Sequence, residues 1–242
     1  IKEKSFTVIG KQTDNAIERQ IVKYCVKHKN IYHFAEDCKF KVISSTIEGT
    51  TVKYKGRKLN LHLAGLHQIE NLRTALKTIE VLTDEYFYPI TKDDIEYGIA
   101  KAKNPARFEL LSKSPRVILD GAHNPNGMES FGKSVEEYTS GKRVLIMGML
   151  RDKDISHSID FIKGKFQTVI TLTVDNPRSI TGEELAHICR DKFPNVITAD
   201  SPIDAVDIAL DLAKKEDCTI MICGSLYLAG EIRPILIDRL SE

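Results

Sequence analysis

The polar segment Asp120–Pro125, with the sequence DGAHNP, holds the residues best suited to chemistry. It follows the apolar run Val117–Leu119, which is typical of a buried strand. A carboxylate, a flexible glycine and an imidazole thus precede a proline that can begin a helix. Because the N-terminus of a helix favours anions, the segment suits a phosphate or carboxylate ligand. The alternative is a structural strand–turn–helix connection in which Asn126 caps the helix, and the residues alone leave both open.

Strands and helices alternate regularly around this segment, from Arg107 onward. The apolar runs predicted as strands are Val117–Leu119, Val144–Met147, Val169–Leu172, Val196–Ile197 and Ile220–Cys223. Thr181 with Glu184 predicts a capping box, and Ser201-Pro202 predicts an N-cap followed by a helix-starting proline. The buried face of that last helix is predicted to hold Ile203, Val206, Leu210 and Ala213. Such alternation is typical of an α/β fold with a mostly parallel sheet between helices, whose ligand sites form at the carboxyl ends of strands.

The first hundred residues show a more mixed pattern. A short strand is predicted at Phe6–Ile9, and residues 52–63 alternate as antiparallel hairpins do. The predicted helices are one with Ile17, Ile21, Tyr24, Cys25 and His28 on one face, one over Ile69–Ile79, and one capped by Thr91 with Asp94. The polar, proline-containing stretch Lys103–Pro105 predicts a boundary between domains at residues 1–104 and 105–242.

Composition excludes several classes of function. The net charge of +1 offers no electrostatic attraction to nucleic acid or an anionic membrane. The longest strongly apolar run, Val144–Leu150, is far shorter than the roughly 18 residues of a membrane helix. Five scattered cysteines without a CxxC pair indicate a reducing cytoplasm. The chain begins without Met and leads directly into a strand, so we expect it to be a fragment.

Five ordered motifs carry a resemblance to a known family. The segment Leu119–Pro125 (LDGAHNP) resembles the signature of the folylpolyglutamate synthases and dihydrofolate synthases, the folate branch of the Mur ligase superfamily. The other matching segments are Gly65–Asn71 (GLHQIEN), Asn104–Glu109 (NPARFE), Asp152–Asp154 (DKD) and Gly224–Tyr227 (GSLY). Ala106 departs from the family, which has glycine there. The family's phosphate-binding loop and magnesium ligands are not matched, and in the family they lie upstream.

The resemblance implies a fold and a reaction. Residues 105–242 would form a Rossmann-like C-terminal domain, and residues 1–104 the end of the central, ATP-binding α/β domain of a Mur ligase. The implied enzyme is an ATP-dependent ligase that joins L-glutamate to the γ-carboxylate of folate through an acyl phosphate, with or without dihydrofolate synthase activity. ATP and Mg²⁺ are the implied cofactors, with the metal ligands outside this chain. The implied protein is a cytoplasmic monomer, and this chain alone would be inactive.

The resemblance also implies roles for individual residues. Asn71 would contact the adenine, Arg107 the phosphates and Asp120 the ribose hydroxyls. An arginine fork suits phosphate because it is always charged and binds oxygens bidentately. His123 would be the catalytic residue that orients the reacting groups, and with Ser225 it would hold the incoming glutamate.

Each of these residues also has a structural interpretation. Asn71 could lie on an exposed helix face, and Arg107 could form a salt bridge at the domain boundary. Asp120 could accept hydrogen bonds from amides of its own turn, and His123 could fix the loop. Ser225 could be the N-cap of the last helix.

Two weaker candidates are charges in loops. Lys153 lies between two aspartates and is favoured as a solvated charge. Arg178 ends Asp175–Arg178 (DNPR), which resembles a motif with which peptidoglycan ligases grip their amino acid, but it also suits a surface turn. No set of histidines has the spacing of a metal site.

A P-loop-like string gives the main competing hypothesis. Residues 127–134 (GMESFGKS) match GxxxxGK[ST], with Lys133 at the lysine position. A P-loop needs an irregular glycine-rich loop, whereas Met128, Phe131, Val135 and Tyr138 share one helical face. The string therefore predicts a helix, and an autonomous nucleotide-binding module is the weaker alternative. A Mur-type ligase acting on peptidoglycan precursors and a non-catalytic interaction domain also stay open.

Overall fold

The chain divides into two compact units in a computed structural model that describes residues 1–12 and 14–241. Unit 1 comprises the described residues of Ile1–His62 together with Leu66–Lys103. Unit 2 comprises Leu63–Gly65 and the described residues from Asn104 onward. The identification of these units as the end of a central domain and a C-terminal domain stays a prediction.

Unit 1 contains two small sheets and three α-helices in its described part. A parallel pair joins β1 (Phe6–Ile9) to β2 (Ile31–Phe34), and an antiparallel meander joins β3 (Lys41–Thr46), β4 (Gly49–Tyr54) and β5 (Arg57–Leu61). The helices are α1 (Asn15–Lys27), α2 (Leu66–Asp84) and α3 (Lys92–Lys101), and a short 3₁₀ helix spans Ala35–Asp37.

The predicted helices and antiparallel strands of unit 1 are observed, whereas β2 and the 3₁₀ helix were not predicted. Alternate residues of the meander are buried: Val52, Tyr54, Leu59 and Leu61. Thr91 and Asp94 form the predicted capping box of α3. The predicted apolar face of α1 is only partly covered, because Ile17 is 46% exposed and only Cys25 is buried. The helical spacing of apolar residues therefore predicted the position of α1 correctly, but it predicted more buried side chains than the structure has.

Unit 2 is an α/β arrangement built on one large sheet. Its strands are β6 (Glu109–Lys113), β7 (Arg116–Leu119), β8 (Arg143–Met147), β9 (Thr168–Thr171), β10 (Asn195–Thr198) and β11 (Thr219–Cys223). Its helices are α4 (Pro125–Tyr138), α5 (Ile155–Asp160), α6 (Gly182–Arg190), α7 (Pro202–Glu216) and α8 (Leu226–Arg239). The predicted mostly parallel sheet flanked by helices is confirmed.

The order of strands in the large sheet is β10-β9-β8-β11-β7-β6. All neighbours are parallel except β6, which pairs antiparallel with β7 at the edge. The last strand, β11, lies between β7 and β8, so the carboxyl ends of these three strands are adjacent. In open α/β sheets, ligands bind at such a reversal of strand order.

Alternate residues of these strands pack on opposite faces of the sheet. Val117, Leu119 and Ile222 belong to one apolar cluster that includes residues of α7 and α8. Cys223 points to the other face, where its sulfur lies 3.8 Å from that of Met128 in α4. Both faces are therefore covered, as the apolar run Val117–Leu119 of β7 requires.

Three details of unit 2 correct the sequence predictions. Asn124, not Asn126, caps α4, because its side chain accepts from the Gly127 amide and Pro125 takes the first helical position. Ile203 is 51% exposed, so the predicted buried face of α7 is confirmed for Val206 and Ala213 but not for Ile203, and Ala205 and Ala209 complete it. The edge strand β6 was not predicted, since its apolar stretch is short and polar residues flank it.

Candidate functional site

The loop that follows β7 is joined through its backbone to β11 and the loop that follows it. The Asp120 amide donates to the Ile222 carbonyl at 2.9 Å, and the Gly224 amide donates to the Ala122 carbonyl at 2.8 Å. Gly224 has φ +119°, and a Cβ there would lie 2.5 Å from the carbonyl oxygen of Gly148. Only glycine allows this approach. At Gly224 the loops are thus packed so closely that no side chain would fit between their main chains.

Asp120 is buried in this loop cluster, with 5% of its surface exposed. Its carboxylate accepts from the Phe108 amide at 2.8 Å and from the Ala122 amide at 2.7 Å. Burial raises the pKa of Asp120 to about 6, although those two amides and the nearby Arg107 and His123 act to lower it. The structural interpretation is therefore observed, while the ribose contact stays a prediction that the remaining lone pairs allow.

Arg107 lies in a turn with unusual backbone geometry. The residues on either side, Ala106 and Phe108, have φ values of +57° and +49°. The Arg107 side chain is half-buried, and it forms no hydrogen bond or ion pair with residues 1–12 or 14–241. The salt bridge considered from the sequence is therefore not observed within the described chain, and the guanidinium is available to an anion.

His123 is oriented by the loop that carries it. Its Nδ1 lies 2.8 Å from the Gly121 carbonyl oxygen, which can only accept, so Nδ1 donates. In the neutral ring this leaves the lone pair on Nε2. Across the described ranges, Nε2 has no hydrogen-bond partner. The loop-fixing interpretation is observed, and one nitrogen remains for a ligand.

Ser225 begins α8 and is 2% exposed. Its hydroxyl oxygen accepts from the Leu228 amide at 2.9 Å, so the N-cap interpretation is observed. A serine hydroxyl that accepts one hydrogen bond can still donate another. Contact with glutamate stays a prediction.

Asn71 belongs to unit 1, on an exposed part of α2. Its amide nitrogen donates to Oε1 of Gln68 at 2.9 Å, and Gln68 is buried. The structure therefore shows Asn71 held on its own helix, and contact with adenine stays a prediction. One group of loops in unit 2 holds Arg107, Asp120, His123 and Ser225, whereas Asn71 belongs to unit 1.

Lys153 and Arg178 both lie near Asp152. Lys153 Nζ is 3.4 Å and Arg178 Nη1 is 3.5 Å from the same carboxylate oxygen. The Arg178 side chain is 54% exposed, which suits a solvated loop charge, whereas the Lys153 side chain is 29% exposed and therefore partly buried. Substrate contacts for both residues stay predictions.

The P-loop interpretation is wrong. Residues 127–134 lie inside α4, and Lys133 pairs with Glu129 one turn earlier at 2.7 Å. A helix cannot wrap its amides around phosphates as a P-loop does. In the part of the chain that the structure describes, no group of three or more acidic, histidine or cysteine residues could hold a metal ion. That part also has no helix long and apolar enough to cross a membrane.

Sequence reasoning missed one residue beside the site. Arg233 of α8 pairs with Glu109, with Nη2 2.7 Å from Oε1. Glu109 in turn accepts from the Ala106 amide at 3.0 Å. The two partners are 124 positions apart, so no local pattern could have joined them.

Comparison with known proteins places this geometry in a family. The profile for "Mur ligase, glutamate ligase domain" matches residues 106–226, which is half of the chain. Folylpolyglutamate synthase of Lacticaseibacillus casei is 34% identical over 182 residues, which cover 74% of this chain and 40% of that protein. A dihydrofolate synthase/folylpolyglutamate synthase of Escherichia coli is 34% identical over 63% of this chain and 35% of its own.

Solved structures agree with the sequence relatives. Mycobacterium tuberculosis folylpolyglutamate synthase, complexed with ADP and AMPPCP, aligns with a TM-score of 0.83 at 25% identity over 95% of this chain and 55% of that one. Folylpolyglutamate synthase of Thermotoga maritima aligns with a TM-score of 0.79 at 30% identity, over 98% of this chain and 55% of that one. This chain thus spans about half the length of these enzymes. It belongs to the folylpolyglutamate synthase and dihydrofolate synthase family of the Mur ligase superfamily.

Proposed function

We propose that this chain supplies the nucleoside and glutamate side of an ATP-dependent ligase that adds L-glutamate to the γ-carboxylate of folate. One observation carries the proposal. Neighbouring loops at the carboxyl end of the sheet hold a buried carboxylate, an oriented imidazole and an arginine that makes no hydrogen bond or ion pair with the described residues. The relatives named for this reaction share this family and fold.

The chemistry of the residues fits a nucleotide. The Arg107 guanidinium would bind a phosphate and stabilise the charge that develops during phosphoryl transfer. Asp120 would accept from ribose hydroxyls, because each carboxylate oxygen has a lone pair beyond the amide it already binds. Asn71 of unit 1 would contact the adenine. Mg²⁺ would be bound outside the described residues, which contain no cluster of acidic ligands suited to it.

The glutamate side would use the next loop. ATP would phosphorylate the folate carboxylate and leave as ADP. The amine of glutamate would then attack the acyl carbon, the C–O bond to the phosphate would break with release of inorganic phosphate, and the amine nitrogen would lose a proton. His123 Nε2 could accept a hydrogen bond from that amine, since Nδ1 is committed to Gly121. The Ser225 hydroxyl could donate to the glutamate carboxylate. Folate and glutamate are thus the proposed substrates of a cytoplasmic, monomeric enzyme whose phosphate loop lies outside these residues.

An ADP titration of the chain tests the carrying observation. We expect ADP to shift the amide resonances of residues 105–125 with millimolar or weaker affinity, because the phosphate loop is missing. Asp120→Ala should reduce those shifts, and in an intact enzyme it should raise the ATP requirement. Lys133→Ala is the matched control, since this lysine is exposed on α4 and pairs with Glu129. Equal shifts for both variants would remove Asp120 from the nucleotide site.

Turnover tests the proposed division of labour. We expect the chain alone to show no glutamate-dependent ATP hydrolysis. Substantial turnover by these 242 residues would contradict the proposal that the phosphate loop lies elsewhere.

A peptidoglycan ligase is the second candidate. A relative named UDP-N-acetylmuramoyl-L-alanyl-D-glutamate--2,6-diaminopimelate ligase, from Caldanaerobacter subterraneus, is 26% identical over 84% of this chain. The motif ending at Arg178 also favours it. Folate and muramyl-peptide acceptors compared side by side in an intact enzyme would decide between the two.

A further inference from the structure

The turn that carries Arg107 has an unfavourable backbone conformation. Ala106 and Phe108 both lie in the left-handed region, at φ +57° and +49°. Residues with a Cβ adopt that region only where surrounding contacts impose it. The conformation that presents Arg107 must therefore be held by other parts of unit 2.

Three hydrogen bonds hold the flanking residues. The Ala106 carbonyl accepts from the Gly121 amide at 2.8 Å, and the Phe108 amide donates to Asp120 at 2.8 Å. The Ala106 amide donates to Glu109 at 3.0 Å. The first two partners belong to the site itself. Glu109 differs, because its carboxylate is fixed from outside the loop cluster.

Arg233 fixes Glu109 with a two-pronged contact. Its Nη2 lies 2.7 Å from Oε1 of Glu109, and its Nε lies 3.1 Å from Oε2. Burial alone would raise the pKa of Glu109, but the hydrogen bonds from Arg233 and the Ala106 amide bring it below its ordinary value. Glu109 is thus a charged acceptor at neutral pH. Arg233 lies beyond the residues that match the family profile, which end at 226.

We propose that Glu109 and Arg233 are positioning residues that hold the Ala106–Phe108 turn so that Arg107 points its guanidinium at an anionic group of the bound nucleotide. The inference rests on the proposed nucleotide role of Arg107. Neither Glu109 nor Arg233 needs to touch the ligand. The pair acts as a brace between α8 and the turn, and Arg107 makes the contact.

Charge provides the first test, because positioning and simple electrostatics predict opposite results for Glu109→Gln. Glu109→Gln removes a negative charge, which by electrostatics alone would tighten binding of an anion. Arg233→Met removes a positive charge, which alone would weaken it. If the pair positions Arg107, both variants weaken ADP binding by about fivefold, measured by titration of the full chain with ADP.

A double-mutant cycle provides the second test, and a merely structural role would not pass it. Arg107→Ala should weaken ADP binding about tenfold, as the loss of a charged hydrogen bond does. In the Arg107→Ala background, Glu109→Gln should weaken binding no further, since its effect passes through Arg107. The melting temperature should still fall in that background, because the turn is loosened with or without the guanidinium.

Arg239→Met is the matched control. Arg239 is also an α8 arginine, and it makes a comparable contact with Asp207 at 3.0 Å. We expect this variant to leave ADP affinity unchanged. Arg233→Lys keeps the positive charge but loses the two-pronged guanidinium contact. It should therefore bind ADP as weakly as Arg233→Met does, but melt at a higher temperature than that variant.

The outcomes separate the two levels of the proposal. If Arg107→Ala leaves ADP affinity unchanged, the proposed nucleotide role fails and the positioning role fails with it. If Arg107→Ala weakens binding but Glu109→Gln does not, only the positioning role is overturned. Additive losses in the double mutant would likewise overturn it.

Discussion

Asp120 in unit 2 and Asn71 in unit 1 are both expected to contact the nucleotide, yet the protein holds them in different ways. Asp120 is 5% exposed and accepts from the amides of Phe108 and Ala122. Asn71 is exposed and is tied to one side chain of its own helix, Gln68. A residue at a strand end is thus fixed by the main chain of neighbouring loops, whereas a residue on a helix face depends on side chains alone.

The sheets explain this difference. In unit 2 the strands β7, β8 and β11 are adjacent and buried over most of their length, so their loops are brought together, and the chain after β7 shares backbone hydrogen bonds with β11 and its loop. In unit 1 the nearest regular structure to Asn71 is its own helix, whose backbone bonds are satisfied internally. The loops of unit 2 therefore hold Asp120 in a fixed position but tolerate few substitutions. The helix of unit 1 tolerates more substitutions but holds Asn71 less firmly.

Gly224→Ala should have the largest effect, because it tests the crowding of the unit 2 loops. A Cβ at this position would lie 2.5 Å from a backbone oxygen of Gly148, and the φ of +119° is unfavourable for alanine. Overpacking and backbone strain each cost about 1–3 kcal/mol, so the free energy of unfolding of unit 2 should fall by roughly 4 kcal/mol. Thermal and urea unfolding, with probes in each unit, would measure it.

Gly56→Ala is the control in unit 1. It has a φ of +86° in the β4–β5 turn, and a Cβ there would meet nothing within 4 Å. Only the strain should remain, at about 1 kcal/mol. If Gly224→Ala and Gly56→Ala lower the free energy of unfolding equally, crowding at Gly224 contributes nothing, and the loops of unit 2 are no more tightly packed than the turn in unit 1.

Asp120 should give unit 2 a distinctive dependence of stability on pH. Its pKa rises from the ordinary value of 3.8 to about 6 on folding, mainly through burial. The folded state therefore binds the proton more tightly, and the stabilisation is complete below about pH 4 and lost as the pH rises through 6. At about 1.4 kcal/mol for each pKa unit, the contribution is roughly 3 kcal/mol.

The pH effect is measured as a difference in slope. Between pH 4 and 7, the free energy of unfolding of the parent should fall more steeply than that of Asp120→Asn, whose amide does not titrate. Nucleotide affinity should move the opposite way, since the ionised carboxylate is the better acceptor for ribose hydroxyls. Parallel slopes for the two proteins would mean that Asp120 ionises normally despite its burial.

The sequence predicted what depends on neighbours in the chain. The capping box of Thr181 with Glu184 and the strand that leads to Asp120 are set by residues a few positions apart, and both are confirmed. The N-cap of α4 was misplaced from Asn124 to Asn126, because either asparagine can cap and only the actual start of the helix decides.

Contacts between distant residues could not be predicted. The pairing of Glu109 with Arg233 joins an edge strand to the last helix. The amides that occupy Asp120 come from a turn whose left-handed residues are Ala106 and Phe108, which give no local sign of that conformation. The family motifs therefore located the candidate residues, and only the folded chain shows what holds them.

Asn71→Ala should have a small effect on stability and a separable effect on ligand binding. The substitution removes one hydrogen bond and leaves Oε1 of the buried Gln68 without that donor, so the free energy of unfolding should fall by about 1 kcal/mol. ADP affinity in an intact enzyme should nevertheless fall several-fold if the amide contacts adenine. A stability loss comparable to that of Gly224→Ala would contradict the idea that unit 1 holds its site residue loosely.

Lys133→Ala should have the smallest effect of all, although the lysine belongs to the string that most resembles a nucleotide-binding motif. Lys133 is 62% exposed on α4 and pairs only with Glu129. An exposed ion pair of this spacing contributes about 0.3–0.5 kcal/mol. ADP affinity should not change, because the helix keeps the amides of this segment in its own hydrogen bonds. A P-loop lysine would instead lose nucleotide binding outright, so a single titration separates a letter match from a site built by the fold.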